Sequence, residues 1–256
     1  MTAIKRTTDE ALCRMAARLR PVYMRDHMVE MMLTATETKM SPREVLQYVL
    51  GKEIEQRESN RIKLATMGAH FPRTCTLESF DFSAQPALDQ GIIRELTTLE
   101  WLATGENALF LGPPGVGKTH LAIGLGRRAI QNGYSVLFIN AAQLIYSLEK
   151  AHKEGQLADR ISILNKPNLL IIDELGYLLF SPHAAHLFFQ LVCRRYESKS
   201  ILVTSNRSLS EWGMVFGDPT VATAILDRLL HHCTPVTIMG DSYRIREAKK
   251  KKALAA

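Results

Sequence analysis

The sequence predicts an α/β fold: a parallel sheet covered by helices on both faces, preceded by a small all-α region. Three observations carry that expectation. From about Ile92 onward, apolar runs at 108–111, 135–139, 169–172, 201–204 and 234–238 alternate with helical patterns. The segment Gly112-Pro113-Pro114-Gly115-Val116-Gly117-Lys118-Thr119 fits G-x-x-x-x-G-K-[ST] at every fixed position. It follows the apolar run Ala108-Leu109-Phe110-Leu111 and opens a helix reaching about Ile130, the strand–loop–helix context in which such a loop cradles phosphates. Before residue 69, by contrast, every pattern reads as helical.

Taken in order, Ala11, Leu12, Met15, Ala16 and Leu19 fall on one face of a short helix that Pro21 breaks. A second helix is expected from Val22 to about Thr36. Its methionines, Met24, Met28, Met31 and Met32, read as adaptable core. Ser41-Pro42-Arg43-Glu44 is a start signal: Ser41 caps, Pro42 takes the first helical position and Glu44 completes a capping box. The helix that follows carries Val45, Leu46, Val49 and Leu50, then turns charged from Lys52 to Lys63, as a solvated or a DNA-contacting face. Residues 1–68 therefore read as a helical domain for DNA, partner or oligomer contacts, and 69–91 as a linker. Phe71, Leu77, Phe80 and Phe82 in that linker either wall an adenine pocket or dock on the next domain. The main domain is expected over 92–245. The later runs, rich in leucine and β-branched residues, suit buried parallel strands. Ser181-Pro182 marks the start of the helix Ala184 to Tyr196. A basic tail, 246–256, closes the chain.

With 256 residues and 46% apolar content the chain can bury a sizeable core. No run is long and apolar enough to span a bilayer, and the first twenty residues lack the apolar centre of a secretory signal. Cys13, Cys75, Cys193 and Cys233 are far apart and without C-x-x-C spacing, so reduced thiols and a cytoplasmic location are expected rather than zinc or disulfides. The net charge of +6 leans toward polyanionic partners. The charge concentrates in Arg244, Arg246, Lys249, Lys250, Lys251 and Lys252, opposed only by Glu247. Such a run serves either phosphate-backbone contacts or solubility.

The loop at 112–119 implies a nucleoside triphosphate. Its glycines let backbone N–H groups turn toward phosphate oxygens at a helix N-terminus. Lys118 is placed to reach the β- and γ-phosphates, and the Thr119 hydroxyl to ligate Mg²⁺. Leu169-Leu170-Ile171-Ile172-Asp173-Glu174 is an apolar strand ending in two acids about 55 residues after Lys118. Asp173 suits the Mg²⁺ shell. Glu174 suits a general base for an attacking water, which phosphoryl transfer to a metabolite would not need there. Ile201-Leu202-Val203-Thr204-Ser205-Asn206 repeats the design, with Asn206 at the strand tip to position water or meet the γ-phosphate. Arg228, in Asp227-Arg228-Leu229-Leu230, and Arg244, after the last strand, are open between clamping phosphate charge and structural ion pairing.

These motifs together, Gly112 to Thr119, Ile171-Ile172-Asp173-Glu174 and Val203-Thr204-Ser205-Asn206, are similar to those of AAA+ ATPases. More closely, Ser205 to Gly213, Phe216-Gly217-Asp218-Pro219, Ala224 to His232 and Gly240 to Arg244 resemble the IstB family of transposition helper ATPases, relatives of the DnaC helicase loaders. His70-Phe71-Pro72 and Glu78 to Phe82 extend the resemblance over nearly the whole chain. It implies an AAA+ core without a full C-terminal lid domain. It also implies that Gly112 through His120 bind ATP, Thr119 and Asp173 hold Mg²⁺, Glu174 is the base and Asn206 a sensor. Arg228 then corresponds to a finger reaching a neighbouring subunit's γ-phosphate, and Arg244 to a second sensor. The implied activity is ATP hydrolysis by a homo-oligomer, ring or helical, on duplex DNA with little sequence preference. The assembly recruits a cognate transposase and hydrolysis releases it. The alternative is a DnaC-like loader of a replicative helicase. Lys150 and Lys153, between Asn140 and Pro167, are candidate DNA contacts or part of a solvated face, as are Lys249 and Lys250 in the tail.

Overall fold

The computed structural model describes residues 22–240 and 242–243. The expected helix at Ala11–Leu19, Arg244, and the lysines of the tail, Lys249 and Lys250 included, lie outside the described residues. The chain divides into two compact units between Leu64 and Ala65.

In the first unit, helix α1 spans Val22–Glu37 and α2 begins at Pro42, running to Gly68 across that division. The capping box forms at the start of α2: the Ser41 backbone N–H donates to Glu44 Oε2 at 2.7 Å and the Glu44 N–H to Ser41 Oγ at 3.4 Å. Met28, Met31, Ala35 and Val49 are buried. A buried carboxylate on α2 holds the first turn of α1, since Glu53 Oε2 accepts from the N–H groups of Tyr23 and Met24 at 2.9 and 3.1 Å. Both donors lie in the first turn of the described helix, where N–H groups need acceptors from outside, and Glu53 supplies one. Leu46, Leu50 and Ile54, four residues apart on α2, stay exposed.

The second unit is the sheet and its helices. Helices α3 (Gln90–Thr98) and α4 (Glu100–Thr104) lead into β1 (Asn107–Leu111), α5 (Lys118–Gln131) and β2 (Val136–Asn140). Then come α6 (Ala141–Lys153), α7 (Leu157–Leu164), β3 (Leu169–Leu175) and α8 (Pro182–Arg195). Strand β4 (Ser200–Ser205), α9 (Trp212–Phe216), α10 (Pro219–Leu230) and β5 (Cys233–Thr237) complete the unit. The strand order is β2-β3-β4-β1-β5 and every pairing is parallel. Side chains alternate across the sheet with period two. Leu170 and Ile172 join the core formed with α6, α8 and α10. Ile171 packs the other way, against Gly126 of α5, where any side chain would collide with its Cδ1.

Helix starts follow local chemistry. Ser181 Oγ accepts from the Ala184 N–H before α8, and Asp218 Oδ1 accepts from Thr220 and Val221 before α10. Both helices carry proline at their first position. Strand β3 runs beyond the apolar residues that predict it, and its ladder with β4 is irregular between Ile172 and Leu175. The irregularity falls on the two acids. No helix of the described residues is long and apolar enough to cross a membrane. Cys75, Cys193 and Cys233 are free thiols.

Candidate functional site

Parallel strands bring their C-terminal tips to one edge of the sheet, and the order reverses around β1, which is where ligands bind in such sheets. At that edge lies a cleft of about 300 Å³. Pro114 through His120 line it from the loop and the start of α5, Glu174 from β3, Thr204 from β4 and Asn206 from the position just after it. Ser79, Phe80, Asp81, Ala84 and Gln85, from the segment before the sheet, form a further wall.

The loop takes its shape from its glycines. Gly112 has φ +146 and Gly117 +102, a region L residues rarely enter. A Cβ at Gly112 would overlap Ile238 O, and one at Gly117 would run into the Phe80 ring. Gly112 and Pro113 do not line the cleft; their carbonyls instead accept from Lys118 Nζ at 2.6 and 2.8 Å, holding the ammonium at the loop. Lys118 is the first residue of α5, so its charge and the helix N-terminus act on the same space. His120 Nε2 lies 2.9 Å from Thr76 O and 3.1 Å from Ser79 Oγ, and its ring meets Phe80 edge-on. It thereby ties the loop to the wall.

The acids are held in a chain of hydroxyls. Asp173 Oδ1 accepts from Thr119 Oγ1 at 2.8 Å and from Thr204 Oγ1 at 2.6 Å. Thr204 Oγ1 in turn accepts from the Glu174 N–H at 3.0 Å. Burial raises the Asp173 carboxyl above its ordinary value. The two hydroxyls pull it back, Glu174 pushes it up again and Arg73 draws it down. Glu174 sits at φ +62, strained for a residue with a Cβ. Asn140 Nδ2, at the tip of β2, donates to Glu174 Oε2 at 2.8 Å. Asn206 Oδ1 is buried with no hydrogen-bond partner, an unpaired acceptor beside the cleft.

Arg228 is not among the residues lining the cleft. It lies on α10, where Nη1 donates to Ala224 O at 3.1 Å and the guanidinium stands 4.8 Å from the Phe189 ring centroid. Lys150 and Lys153 are exposed in the last turn of α6, with Lys150 Nζ 3.9 Å from Glu154. Three contributors escape sequence reading. Asn140 carried a usable signal, a polar residue closing an apolar strand as Asp173 and Asn206 do. Thr204 carried the same signal in weaker form. Arg73 carried none.

The cradle suits a triphosphate, because its glycines keep the backbone open and Lys118 supplies a cation at a helix start. It also suits Mg²⁺: the Thr119 hydroxyl and Asp173 carboxylate are hard oxygen donors 2.8 Å apart. Loop, acids and sheet order together define an ATP-binding P-loop protein of the AAA+ class. Its fold is shared with the replication initiator DnaA, solved bound to AMPPCP and single-stranded DNA, at TM-score 0.57 and 23% identity over 71% of this chain and 55% of that one. DnaI shares it too, at TM-score 0.53 and 20% identity over 64% of this chain and 90% of that one.

Within that class the chain belongs to the family described as IstB-like ATP binding protein, whose profile matches residues 15–253. An ATP-binding protein of insertion sequence IS5376 in Geobacillus stearothermophilus is 46% identical over 215 residues, 84% of this chain and 86% of that one. One of insertion sequence IS21 in Pseudomonas aeruginosa is 43% identical over 234 residues, 91% of this chain and 88% of that one.

Proposed function

We propose that this protein is a Mg²⁺-dependent ATPase that assembles as a homo-oligomer on duplex DNA, marks or bends the target and recruits a transposase, with hydrolysis as the release step. The observation that carries the reading is Glu174. It stands strained at the tip of β3, one residue after Asp173, lining the cleft that Lys118 and Thr119 also line. Lys39, Leu99 and Glu197 share this conformation, so what singles out Glu174 is that it adopts it while lining the cleft.

ATP·Mg²⁺, when bound, supplies the phosphoanhydride bond to be broken and neutralises part of the phosphate charge. The chain's own residues do the rest. Lys118 and the loop N–H groups bind the phosphates. Thr119 and Asp173 hold the metal. Asn140 engages Glu174 Oε2, fixing the carboxylate so that Oε1 accepts the proton of a water. Asn206 is the polar group at the β4 tip that orients that water. Arg228, away from its own cleft, serves a neighbour's, which makes turnover depend on assembly.

Membership of a family whose relatives are ATP-binding proteins of insertion sequences supports the transposition role. The exposed Leu46, Leu50 and Ile54 of α2 suit partner contacts by the first unit. The net charge of +6, concentrated in the tail, suits DNA phosphates, as do Lys150 and Lys153 of α6.

Glu174→Gln tests the reading. Its amide cannot take a proton, so hydrolysis should fall about 10²- to 10⁴-fold while ATP still binds. Electron microscopy with ATP and duplex DNA should then show assemblies that persist after those of the parent have dispersed. Equal dispersal of both would end the release-by-hydrolysis reading. Assembly on a hexameric helicase in preference to DNA would favour a loader instead.

A further inference from the structure

We propose that Arg73 is a cation supplied by the same subunit that reads the terminal phosphate, distinguishing bound ATP from ADP. The inference rests on the nucleotide reading above and assigns a residue to it that no motif marks.

Two clefts meet at the site. The first is the nucleotide cleft. The second is lined by His70, Phe138, Asn140, Gln143 and Asp173 among others. Three residues line both: Arg73, Thr119 and Glu174. Thr119 carries the hydroxyl offered to Mg²⁺ and Glu174 the carboxylate offered to water, so the junction between them is where the end of a triphosphate falls. Arg73 is the cation at that junction.

The backbone around Arg73 is pinned on both sides. Before it, Ala69 O accepts from the Phe138 N–H at 2.8 Å, and the Phe71 ring packs edge-on against Phe138 at 6.2 Å between centroids. After it, Cys75 is buried and Thr76 O is hydrogen-bonded to His120 at the start of α5. The segment is thus anchored to β2 and to the phosphate-loop helix within a few residues of Arg73, which limits the ordering needed when a ligand arrives.

Its side chain is uncommitted. Arg73 is exposed and carries no hydrogen bond or ion pair among the described residues. Some arginines of this unit are engaged, Arg207 with Glu211, Arg195 with backbone carbonyls and Arg228 with Ala224 O and the Phe189 ring; what sets Arg73 apart is its place in the lining of both clefts. Arg73 is near enough to Asp173 for its charge to act there. A guanidinium offers a planar fork of donors that matches two oxygens of one phosphate, which an ammonium does not. A diphosphate would end short of it.

The test uses the full chain with Mg²⁺ and measures equilibrium affinity for a non-hydrolysable ATP analogue and for ADP. Arg73→Ala should weaken the triphosphate analogue about ten- to a hundredfold, the worth of a charge-assisted contact, and leave ADP within about twofold. Arg73→Lys should recover part of the loss, which keeps the experiment readable if the alanine variant folds poorly. Equal weakening of both nucleotides, or of neither, overturns the proposal. So does a loss confined to DNA affinity, which would place Arg73 on the DNA instead. A parent chain that binds neither nucleotide overturns the underlying nucleotide reading, and the role of Arg73 with it.

Discussion

The two edges of the sheet both carry polar residues at strand ends, yet they are built to opposite plans. At the N-terminal edge, polar groups bond mainly to the backbone. Arg195 is fully buried and donates to the carbonyls of Leu164, Pro167, Asn168 and Ser200 at 2.7–3.1 Å. Asn107 donates to Leu229 O and accepts from the Ile201 N–H, using both ends of its amide. At the C-terminal edge, side chains bond to one another as well as to the backbone: Thr119 and Thr204 to Asp173, Asn140 to Glu174. Asn206 Oδ1 there is buried without a partner and Glu174 is left-handed, and both residues line the cleft; the N-terminal edge has its own unpaired Arg195 Nε and left-handed Glu197, but neither lines that cleft. A polar group that completes the backbone stabilises the fold. A polar group left strained or unpaired at the wall of a cavity is available to a ligand.

That contrast makes opposite mutational signatures, and Lys118→Ala is the sharpest way to break it. Removing the ammonium should weaken nucleotide binding by about a hundredfold or more, since a cation at the phosphates is lost in a partly desolvated cleft. Stability of the free protein should fall by less than for Arg195, about 1 kcal/mol, because the carbonyls of Gly112 and Pro113 lose their donor. Titration with a fluorescent ADP or ATP analogue decides the matter. Unchanged affinity would mean that the C-terminal edge is not the nucleotide site.

Arg195→Leu should give the reverse pattern. The carbonyls it serves come from four places around the starts of β3 and β4, and leucine leaves them without a charged donor. A loss of about 3 kcal/mol is expected, the scale for breaking a buried charged network. Burial pushes the guanidinium down to about 9, and the carbonyl bonds are what keep the charged form in place there. Nucleotide affinity of the folded variant should stay within about twofold of the parent. Denaturant unfolding and a binding titration on the same samples check both halves. A variant that keeps its stability and loses nucleotide affinity would erase the distinction between the edges.

The difference between the edges also explains what could be read from sequence. The strands were visible most plainly in β3 and β4, short and nearly continuous buried apolar runs; β5, an edge strand that holds Pro235 and buries only Val236, gave a weaker pattern. Asp173, Glu174 and Asn206 were visible because a polar residue interrupts each run at its C-terminal end. Asn140 obeys the same rule but falls between a strand and a helix, where it also caps α6 by accepting from the Ala142 N–H. Its pairing with Asp173 in the β2–β3 register depends on strand order, which no local pattern encodes. Arg195 looks like any charged residue in the last turn of a helix. Its burial follows from the packing of distant segments around it. The same holds for Arg73, whose place between two clefts depends on how residues 69–76 cross β2 and α5. For Arg228 the sequence left two roles open, and the structure shows its contacts with Ala224 O and Phe189 within the chain.

The smallest expected effect probes what the C-terminal edge sacrifices. The Asp173 carboxyl is raised above its ordinary value of 3.8, chiefly by burial. A group that binds its proton more tightly in the folded state opposes folding once it is ionised, so its charge works against stability at neutral pH. Asp173→Asn removes that charge and keeps an oxygen for the Thr119 and Thr204 hydroxyls. The variant should be more stable than the parent by about 1 kcal/mol at pH 7. The advantage should shrink as pH falls and vanish below 3.8, where the parent's carboxyl is neutral in both states. Mg²⁺-dependent nucleotide affinity should fall at the same time, because an amide is a poor ligand for a hard cation. Thermal unfolding across pH, with and without Mg²⁺ and nucleotide, separates the two effects. If the asparagine variant is less stable than the parent at pH 7, the carboxylate belongs with Arg195 among the groups that hold the sheet together.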